Sequence, residues 1–544
     1  MSATLAELFL KNKENTKVSE VDPLKKRDID SKTFIDDISR VQNALIEYDV
    51  KQKDFVCIIS NTRYEWLVVD VACVLTGVIT VPVYPTLKWQ DTGYILSLIK
   101  PKLLFVENIE QYEKIKSFGI PVVSFDPIEG VPELMGHFSV STDLRIYPSK
   151  PEDIVTIVFT SGTEGQPKGV PQTHKNHVTN LEQVSKVGLF TESDSMFLFL
   201  PLSHSFGRLC GYVGTMLGVS MGVPKPHSNV SSQLDLIRII RSIPLASPTI
   251  VPAVPKFFDQ IKKEIQRRFS RVLKFLRKDT WIERVVLRML GKISIPRIFG
   301  KRIKYCISGG AKLNVETISF FDKLGLCILE GYGLTETVVA THVNLPTARK
   351  VGSVGRPLPG ISQKILDSEI LLKGDNVFGG YWNSPSNPFT EDGWFKTGDI
   401  GHIDEEGFLF IEGRKKEILV LSNGKNVPAL KLEAMLVESI NCKGACVFGD
   451  GHDFVVAVLF DDTKDKTSAY YQQKLLKVNE QLNPFEKLKG LLVVNVEPSV
   501  ANGMLTPTLK IKRKTVWDRF SEHLEHLFSK PGQIIIHEVS DSNV

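Results

Sequence analysis

A chain of 544 residues, 42% of them hydrophobic, can bury a large core and is long enough for more than one domain. Its net charge of +5 is modest, and its first residues lack a basic leader followed by a long apolar core, so a secretory signal is not expected. The seven cysteines stand mostly in apolar runs without paired metal-ligand spacing, which indicates reduced thiols and a cytoplasmic protein.

After an N-terminal helical segment, short runs rich in Val and Ile alternate with longer amphipathic stretches. The runs are "DFVCIIS", "GVITVPVYP", "PKLLFVE", "IPVVSFD", "DIVTIVFT" and "SMFLFLP". Alternating strands and helices predict an α/β fold, in which a large N-terminal domain has mostly parallel sheets with flanking helices. The long apolar stretch from Trp66 to Pro85 contains Asp70 and Pro82, which favours a buried helix running into a strand over a membrane span.

The segment "IVFTSGTEGQPKG", residues 157–169, is rich in glycine, hydroxyl and acidic side chains. It begins in an apolar run typical of a buried strand, so its polar residues lie at a strand-to-turn junction where backbone N–H groups can converge on phosphate. A Walker P-loop requires glycine, lysine and a hydroxyl residue where Pro167, Lys168 and Gly169 stand. The segment is therefore predicted to be a phosphate loop of another type, with an ordinary surface turn as the alternative.

The positive charge is concentrated between Lys262 and Lys292, where eleven Lys/Arg and three acidic residues give a local charge of +8. Apolar residues recur there at three- and four-residue steps, which predicts an amphipathic basic helix. These apolar residues are Ile261, Ile265, Phe269, Leu273 and Leu276, continued by Trp281, Val285, Val286 and Met289. Such a helix can lie on an anionic membrane, and a solvated helix that covers the core fits the pattern equally well. Nucleic acid is not expected, because no binding motif accompanies the charge.

Three later segments carry groups that suit a nucleotide. In "ISGGA", residues 307–311, two glycines follow a strand, where the backbone can approach a flat ring closely. In "EGYGLTET", residues 330–337, an aromatic ring and a hydroxyl precede Glu336, a carboxylate that can face phosphate through Mg²⁺. In "WFKTGDIG", residues 394–401, Asp399 is predicted to lie in a glycine-flanked turn, where it can accept hydrogen bonds from the hydroxyls of a ribose.

Beyond Lys350 the pattern changes to short strands separated by turns, which predicts a smaller antiparallel β region. Charge interrupts the apolar pattern at "GRKKE", residues 413–417, and the remainder is expected to form a small α+β domain. The domain boundary is therefore predicted at this segment.

These motifs, with "GRKK" and "TPTLKIKR", resemble those of the acyl-adenylate-forming, or AMP-binding, enzymes from about Thr33 to Lys514. "RYEWLVVDVACVLTGVITVPVYPT", "LPLSHSFGR" and "ILEGYGLTET" resemble the long-chain fatty acyl-CoA synthetase branch in particular. The resemblance implies a ligase that uses ATP and Mg²⁺ to convert a fatty acid to acyl-AMP, releases pyrophosphate and transfers the acyl group to coenzyme A. It also implies an AMP-binding and acyl-binding domain over 1–413, a hinge at 414–416 and a mobile α+β lid domain over 417–544.

The resemblance assigns a role to individual residues. The pyrophosphate part of ATP would be held by Thr160, Ser161, Gly162, Thr163, Glu164, Gly165 and Lys168, with Ser161 and Glu336 bordering Mg²⁺. Adenine would be flanked by Gly309, Gly310, Ala311 and Tyr332, and the same nucleotide site would include Glu330, Gly331 and Gly333. Asp399 and Arg414 would hold the ribose, and Lys416 would be the hinge. The catalytic residues would be Lys510, Glu336 and Thr335, with Lys512 as the fallback for Lys510.

The acyl-carboxylate site would be walled by His204, Phe206 and Gly207, although a histidine after an apolar run is also typical of a protein core. Two departures from the family pattern bear on these roles. Glu164 stands where many relatives have threonine, which removes one hydroxyl contact to phosphate. Ser205 and Gly207 replace bulkier residues, so the preferred acyl chain length is not predicted.

The implied chemistry agrees with electrostatics, because a carboxylate and a phosphate repel each other and the positive charge of Lys510 and Mg²⁺ between them lowers the barrier. Three alternatives remain open, namely transfer of the acyl group to an acyl carrier protein, an acyl-binding scaffold without catalysis, and a structural protein of the membrane surface, which would explain the basic segment but not the nucleotide motifs. The expected partners are a fatty acid, coenzyme A or acyl carrier protein, and an anionic membrane through residues 262–292. The expected location is the cytoplasm, with peripheral contact at the inner face of a membrane as a further option.

Overall fold

The structure is a computed structural model that describes residues 4–160, 167–225, 236–273, 280–461, 466–506, 510–530 and 533–537. Its strands, numbered in chain order, are β1 (Val18–Val21), β2 (Lys26–Ile29), β3 (Phe55–Ile59), β4 (Ile79–Val83), β5 (Leu103–Val106), β6 (Val122–Ser124), β7 (Ile154–Thr160), β8 (Lys168–Thr173), β9 (Ser195–Phe197), β10 (Ser220–Pro224), β11 (Ile250–Ala253), β12 (Tyr305–Ser308), β13 (Cys327–Tyr332), β14 (His342–Val343), β15 (Arg356–Pro357), β16 (Ser362–Leu366), β17 (Glu369–Lys373), β18 (Phe395–Ile403), β19 (Leu409–Arg414), β20 (Ile418–Val420), β21 (Asn426–Pro428), β22 (Gly444–Phe448), β23 (Val455–Phe460), β24 (Leu488–Val494) and β25 (Ile534–His537).

The helices are α1 (Leu5–Asn12), α2 (Ser31–Glu47), α3 (Tyr64–Thr76), α4 (Trp89–Ile99), α5 (Ile109–Ile115), α6 (Leu134–His137), α7 (His174–Lys186), α8 (Ser205–Leu217), α9 (Leu236–Ala246), α10 (Pro255–Arg268), α11 (Ser270–Leu273), α12 (Trp281–Phe299), α13 (Val315–Leu324), α14 (Ala429–Ile440), α15 (Ser468–Asn479) and α16 (Arg513–Ser529). Short 3₁₀ turns lie at Lys13–Asn15, Lys116–Phe118, Thr335–Thr337 and Lys415–Glu417.

Two large sheets confirm the expected α/β class. The six-stranded sheet has the order β6-β5-β3-β4-β7-β8 and is parallel up to β7, which forms an antiparallel hairpin with β8. The nine-stranded sheet has the order β15-β14-β13-β12-β11-β9-β10-β1-β2, with parallel pairing from β1 to β13 and antiparallel pairs at both edges. Parallel strands buried on both faces need apolar residues throughout, which explains their continuous Val and Ile runs.

The helices form layers on both faces of these sheets. Val56 and Ile58 of β3 point into the main core with α2, α3, α7 and α8, whereas Cys57 and Ile59 pack on the other side with α4. In β11, Ile250 belongs to the main core and Val251 packs toward α9, α10, α12 and α13. Because side chains alternate along a strand, each sheet separates two apolar layers.

The predicted antiparallel region and the small α+β domain are both present. Strands β16 to β19 form a four-stranded antiparallel sheet. In the last sheet, β22-β23-β24-β25, Val455 and Ala457 face α14 and α15, whereas Val456 and Val458 face α16. Helices therefore cover this sheet on both faces.

The stretch from Trp66 to Pro85 forms α3 and β4, as expected, and α3 ends at Gly77, whose φ of +68° suits glycine. No helix in the described parts of the chain is both long and apolar enough to cross a membrane.

Two expectations about local structure are wrong. The basic segment is not a single helix, because α10 ends at Arg268, α11 is a separate turn, and α12 begins at Trp281. Its residues 274–279, including Leu276, lie outside the described residues. Asp399 does not lie in a turn, because β18 continues through Gly398, whose φ of +70° is accessible to glycine, and pairs Asp399 with Arg414 of β19.

Candidate active site

The predicted phosphate loop connects two antiparallel strands. Thr160 ends β7 and pairs with Lys168, the first residue of β8, and its hydroxyl donates to the carbonyl of Lys168 over 3.4 Å. Residues 161–166 lie outside the described residues, so the roles of Ser161, Gly162, Thr163, Glu164 and Gly165 stay predictions. The two ends of the loop are thus fixed by the hairpin.

Glu336 lies close to this hairpin, in the 3₁₀ turn Thr335–Thr337 that follows β13. Its Oε1 accepts a hydrogen bond of 2.9 Å from the hydroxyl of Tyr381, and the ammonium of Lys168 lies 4.9 Å from the centre of the same tyrosine ring. The carbonyl of Thr335 accepts a hydrogen bond of 2.8 Å from Nε2 of Gln172 in β8. The structure therefore brings the candidate phosphate lysine and the candidate magnesium carboxylate to one tyrosine.

Asp399 is almost fully buried, with 3% of its surface exposed, and both its oxygens have partners. Oδ2 accepts a hydrogen bond of 2.6 Å from the hydroxyl of Tyr332, and Oδ1 accepts one of 2.9 Å from Nε of Arg414. Burial and the charge of Asp399 raise the pKa of Tyr332, so the hydroxyl keeps its proton and remains a donor. Each carboxylate oxygen can accept a further hydrogen bond, so Asp399 is still able to receive ribose hydroxyls.

The glycine-rich segments allow close backbone approach. Gly309, Gly310 and Ala311 follow β12 directly, and the N–H of Gly309 donates 3.2 Å to the carbonyl of Ala253. Gly333 follows β13, where an added Cβ would lie 1.2 Å from the carbonyl oxygen of Val339, so this position excludes a side chain. Gly331, within β13, pairs with Val343.

Glu330 is buried within β13, and its Oε1 accepts a hydrogen bond of 3.3 Å from the N–H of Leu313. Burial raises the pKa of Glu330 to about 7, although its backbone partners and nearby Lys312 and Arg349 act in the opposite direction. Its carboxyl thus supports the loop after "ISGGA" and titrates near neutrality.

This buried carboxyl makes stability depend on pH. Because the pKa is higher in the folded than in the unfolded protein, the folded state binds more protons between about pH 4.5 and pH 7, and stability falls as pH rises through that window. Glu330→Gln cannot ionise, so it should gain up to about 3 kcal/mol relative to the wild type between pH 5 and pH 8. Urea unfolding of the variant and the wild type at pH 5 and at pH 8 measures this difference in the free energy of unfolding. The exposed Glu152→Gln serves as the control, and an equal pH dependence of Glu330→Gln and wild type would contradict the role of burial.

The candidate acyl wall touches the nucleotide segment. His204 is the N-cap of α8, and its Nδ1 accepts a hydrogen bond of 3.2 Å from the N–H of Phe206. The ring of Phe206 lies against Gly309, where an added Cβ would stand 3.1 Å from it, and an added Cβ at Gly207 would stand 2.3 Å from the carbonyl of Pro201. Glycine at 207 therefore lets the start of α8 pack closely on the chain before it.

Burial, with a smaller contribution from Lys510, lowers the pKa of His204 to about 4, so its imidazole is neutral at pH 7. Since Nδ1 is the acceptor, the proton lies on Nε2. His204 can therefore donate a hydrogen bond to an oxygen without carrying charge.

Lys510 lies among the charged groups of this site. Desolvation and the positive charge of Arg414 lower its pKa, whereas Glu417 and Asp399 favour its charged form. Its backbone exchanges hydrogen bonds with Thr506, and Lys512 is the N-cap of α16. Lys416 lies in the 3₁₀ turn between β19 and β20. The C-terminal segment thus brings Lys510 within electrostatic reach of Arg414 and Asp399, the candidate ribose residues, and of His204 in the candidate acyl wall.

Two family models match most of the chain. Residues 27–382 match the AMP-binding enzyme family, and residues 416–531 match the AMP-binding enzyme C-terminal domain. The chain belongs to the AMP-binding enzyme family.

Relatives match this AMP-binding enzyme over most of its length. The long-chain-fatty-acid–CoA ligase FadD15 of Mycobacterium bovis is 29% identical, over 89% of this chain and 90% of its own. Fatty acyl-CoA synthetase A of Dictyostelium discoideum is 27% identical, over 90% of this chain and 84% of its own. The crystal structure of ATP-bound MatB from Rhodopseudomonas palustris superimposes with a TM-score of 0.77 at 22% identity, over 96% of this chain and all of the other, which shows the shared fold.

The donor set of the AMP-binding enzyme fits Mg²⁺. The described residues contain no cluster of three or more His, Cys, Asp or Glu side chains that could hold a metal ion. Mg²⁺ is commonly held by one or two carboxylates with substrate phosphates and water, so a single carboxylate is sufficient. Glu336 has one oxygen occupied by Tyr381 and a second, Oε2, available for a ligand.

Sequence reasoning gave no role to Gln172 or Tyr381, which lie directly beside the candidate site. Gln172 is fully buried, and its Nε2 donates to Ser205 of α8 as well as to Thr335. The aromatic pair after two glycines in "FGGYW" signals a constrained turn at Tyr381, but no local pattern indicates the partner of either side chain.

A buried ion pair behind the acyl wall was also not predicted. Arg208, one turn into α8, pairs with Asp70 of α3, and both are at least 98% buried. Its guanidinium also donates to Thr80 of β4, Thr156 of β7 and the hydroxyl of Tyr212. One arginine therefore connects α8, which carries the candidate acyl wall, to β7, the strand that leads into the candidate phosphate loop.

Proposed function

We propose that this AMP-binding enzyme is an ATP-dependent long-chain fatty acid–CoA ligase that forms acyl-AMP with release of pyrophosphate and then acyl-CoA. The observation that carries the proposal is the contact between the acyl wall and the nucleotide segment at Phe206 and Gly309, with Lys510 near His204, Arg414 and Asp399. Relatives named long-chain-fatty-acid–CoA ligase or fatty acyl-CoA synthetase over about nine tenths of the chain support the substrate class.

In the first half-reaction, a carboxylate oxygen bonds to the α-phosphorus while the bond from that phosphorus to the pyrophosphate oxygen breaks. Both reactants are anionic, so the ammonium of Lys510 stabilises the charge that accumulates between them. His204 supplies a neutral donor for the fatty carboxylate. Asp399, held by Tyr332 and Arg414, receives the ribose hydroxyls and positions the α-phosphate.

Glu336 and, in the phosphate loop, Ser161 would hold Mg²⁺. When bound, the ion would neutralise charge on the phosphate oxygens. Lys168 would contribute a second positive charge beside the same phosphates.

In the second half-reaction, the sulfur of coenzyme A bonds to the acyl carbon, the bond from that carbon to AMP breaks, and the thiol proton passes to solvent. Lys510 occupies space that the thiol must approach, so we propose that the C-terminal domain, 417–544, rotates on the hinge 414–416 relative to residues 1–413. The 3₁₀ turn that contains Lys416 is a short connection between β19 and β20, which supports this division of the chain.

The proposed function is tested by incubating the protein with ATP, Mg²⁺ and carboxylic acids of increasing chain length. AMP and pyrophosphate are measured first, and thioester formation is then compared with coenzyme A and with acyl carrier protein. AMP release with long-chain acids and thioester formation with coenzyme A are expected. Formation of ADP without AMP would contradict adenylation. Faster transfer to acyl carrier protein than to coenzyme A would contradict coenzyme A as the acceptor. If no pyrophosphate is released in response to fatty acid, an acyl-binding scaffold without catalysis is favoured.

We further propose that α12 contacts an anionic membrane surface. The stripe of α10 faces the core, where Ile261 and Ile265 are buried, whereas on α12 Trp281, Val285 and Met289 are 74%, 47% and 62% exposed. These three lie at four-residue steps on one face, and Arg284, Arg288 and Lys292 form a parallel basic row beside them. Exposed apolar side chains flanked by cations are complementary to a bilayer of anionic lipid.

Replacing Trp281 and Met289 by alanine should weaken binding to vesicles that contain phosphatidylserine, since both lose apolar contact with the bilayer. Replacing Arg284, Arg288 and Lys292 by glutamine should remove the salt-sensitive part of the binding free energy, to which each cationic contact contributes roughly 1 kcal/mol. Vesicle co-sedimentation at low and high salt measures both effects. Trp89→Ala, at a tryptophan 61% exposed on α4, is the control, and equal binding of all variants would favour a solvated helix.

A further inference from the structure

Residues 378–382, the bridging segment, connect the two parts of the candidate phosphate site. At one end, the N–H of Phe378 donates 2.8 Å to the carbonyl of Glu336. At the other end, the N–H of Trp382 donates 2.8 Å to the carbonyl of Gly169, the neighbour of Lys168 in β8. The segment is therefore fixed to the Glu336 turn and to the phosphate-loop hairpin at the same time.

Tyr381, within the bridging segment, contacts both charged side chains. Its hydroxyl donates 2.9 Å to Oε1 of Glu336, and its ring centre lies 4.9 Å from Nζ of Lys168. A tyrosine hydroxyl carries its proton at neutral pH, so Tyr381 is the donor in its contact with Glu336. Lys168 and Glu336 have opposite charges, yet each has Tyr381 as its partner in place of a direct ion pair.

Aromatic packing holds the tyrosine ring in this place. Phe378 lies with its ring centre 5.0 Å from that of Tyr381 and 5.6 Å from that of Phe395 in β18. Trp382 packs edge-on against Phe55 of β3, with ring centres 5.8 Å apart. Rotation of Tyr381 would disturb its contact with Phe378, and the contact between Trp382 and Phe55 holds the adjacent residue, so the ring is positioned before a nucleotide binds.

We propose that Tyr381 is a positioning residue that holds Lys168 and Glu336 apart, so that the lysine is free for phosphate and Oε2 of the glutamate is free for Mg²⁺. Without the tyrosine, the two side chains can neutralise each other by forming an ion pair, which must break before phosphate and metal bind. This inference rests on the proposed function for the identity of the ligands, but it concerns nucleotide and metal binding and can be measured without turnover.

The test compares Tyr381→Phe, which removes only the hydroxyl, with Tyr381→Leu, which also removes the ring. Tyr64→Phe is the matched control, because the hydroxyl of Tyr64 likewise donates to a carboxylate, Oδ2 of Asp37, over 2.7 Å. ATP binding is measured by calorimetry without fatty acid, with and without Mg²⁺, and pyrophosphate release is titrated with Mg²⁺. Thermal unfolding of each variant checks that it is folded.

Tyr381→Phe is expected to raise the Mg²⁺ concentration for half-maximal pyrophosphate release by about three- to thirtyfold, with little change in ATP affinity measured without Mg²⁺. Tyr381→Leu should also weaken Mg²⁺-free ATP binding by about three- to tenfold, since Lys168 then pairs with Glu336. Tyr64→Phe should alter neither value. The proposal is overturned if Tyr381→Phe needs the same Mg²⁺ concentration as the wild type for half-maximal pyrophosphate release. It is also overturned if Tyr64→Phe raises that concentration as much as Tyr381→Phe does. Should the wild type release no pyrophosphate, the proposed function fails while the Mg²⁺ dependence of ATP binding still decides this inference.

Discussion

Replacing Lys510 by alanine is expected to slow fatty-acid-dependent pyrophosphate release by about 10²- to 10³-fold, because one positioned charge at the developing transition state is lost. The structure places Lys510 where its pKa responds to Arg414, Glu417 and Asp399 and where its charge reaches His204. Lys512→Ala is the matched control, since Lys512 lies two residues away at the start of α16. A larger loss in Lys512→Ala would transfer the catalytic role to that residue.

The same Lys510→Ala variant should still convert synthetic acyl-AMP and coenzyme A to acyl-CoA at a rate close to that of the wild type. Acyl-AMP already contains the mixed anhydride, so the repulsion between carboxylate and phosphate has been overcome before it binds. Quenched-flow measurement of thioester formation from acyl-AMP isolates this half-reaction.

Lys416→Pro is expected to show the opposite pattern, with near-normal pyrophosphate release and slow thioester formation. Proline fixes φ at residue 416 and restricts residue 415, which hinders rotation after adenylation. Lys416→Ala removes the side chain without fixing the backbone and serves as the control. Equal loss of both half-reactions in Lys510→Ala and in Lys416→Pro would reject domain rotation together with both assignments.

Replacing Asp70 by alanine is expected to destabilise the N-terminal domain by about 3–5 kcal/mol, because the guanidinium of Arg208 would remain buried without its counter-charge. Arg208 is 1% exposed, and its remaining partners, Thr80, Thr156 and Tyr212, are neutral hydroxyls. The urea midpoint followed by tryptophan fluorescence measures this, since Trp66 stacks on Arg208 at 5.4 Å.

Two further variants separate a buried charge from a general loss of packing. The double variant with Asp70→Leu and Arg208→Met should be more stable than Asp70→Leu alone, because no unpaired charge is left in the core. Asp36→Ala breaks the exposed pair with Lys32 and should change stability by less than about 1 kcal/mol. If Asp70→Ala is no more destabilising than Asp36→Ala, the pair does not hold α8 to the sheets.

The sequence predicted those features that depend on neighbouring residues. Runs of Val and Ile marked β3 to β7, and glycines marked the chain after β12, because strand preference and the absence of Cβ act locally. Where long-range contacts decided local structure, prediction failed. The pattern "KTGDIG" suggests a turn, but pairing with β19 draws Asp399 into a strand opposite Arg414.

The sequence by itself determined the α/β class and the family motifs, and it named most of the charged residues of the candidate site. Only the tertiary structure decided which of those side chains meet, because sheet order brings together residues far apart in the chain. Tyr381 and Glu336 are 45 residues apart, Tyr332 and Asp399 are 67 apart, and Arg208 and Asp70 are 138 apart. The same holds for burial, since α10 and α12 share an apolar pattern at helical spacing, yet one stripe packs on the core and the other remains exposed. A periodic pattern shows that a helix has an apolar face, whereas the elements packed around it determine whether that face meets protein or solvent.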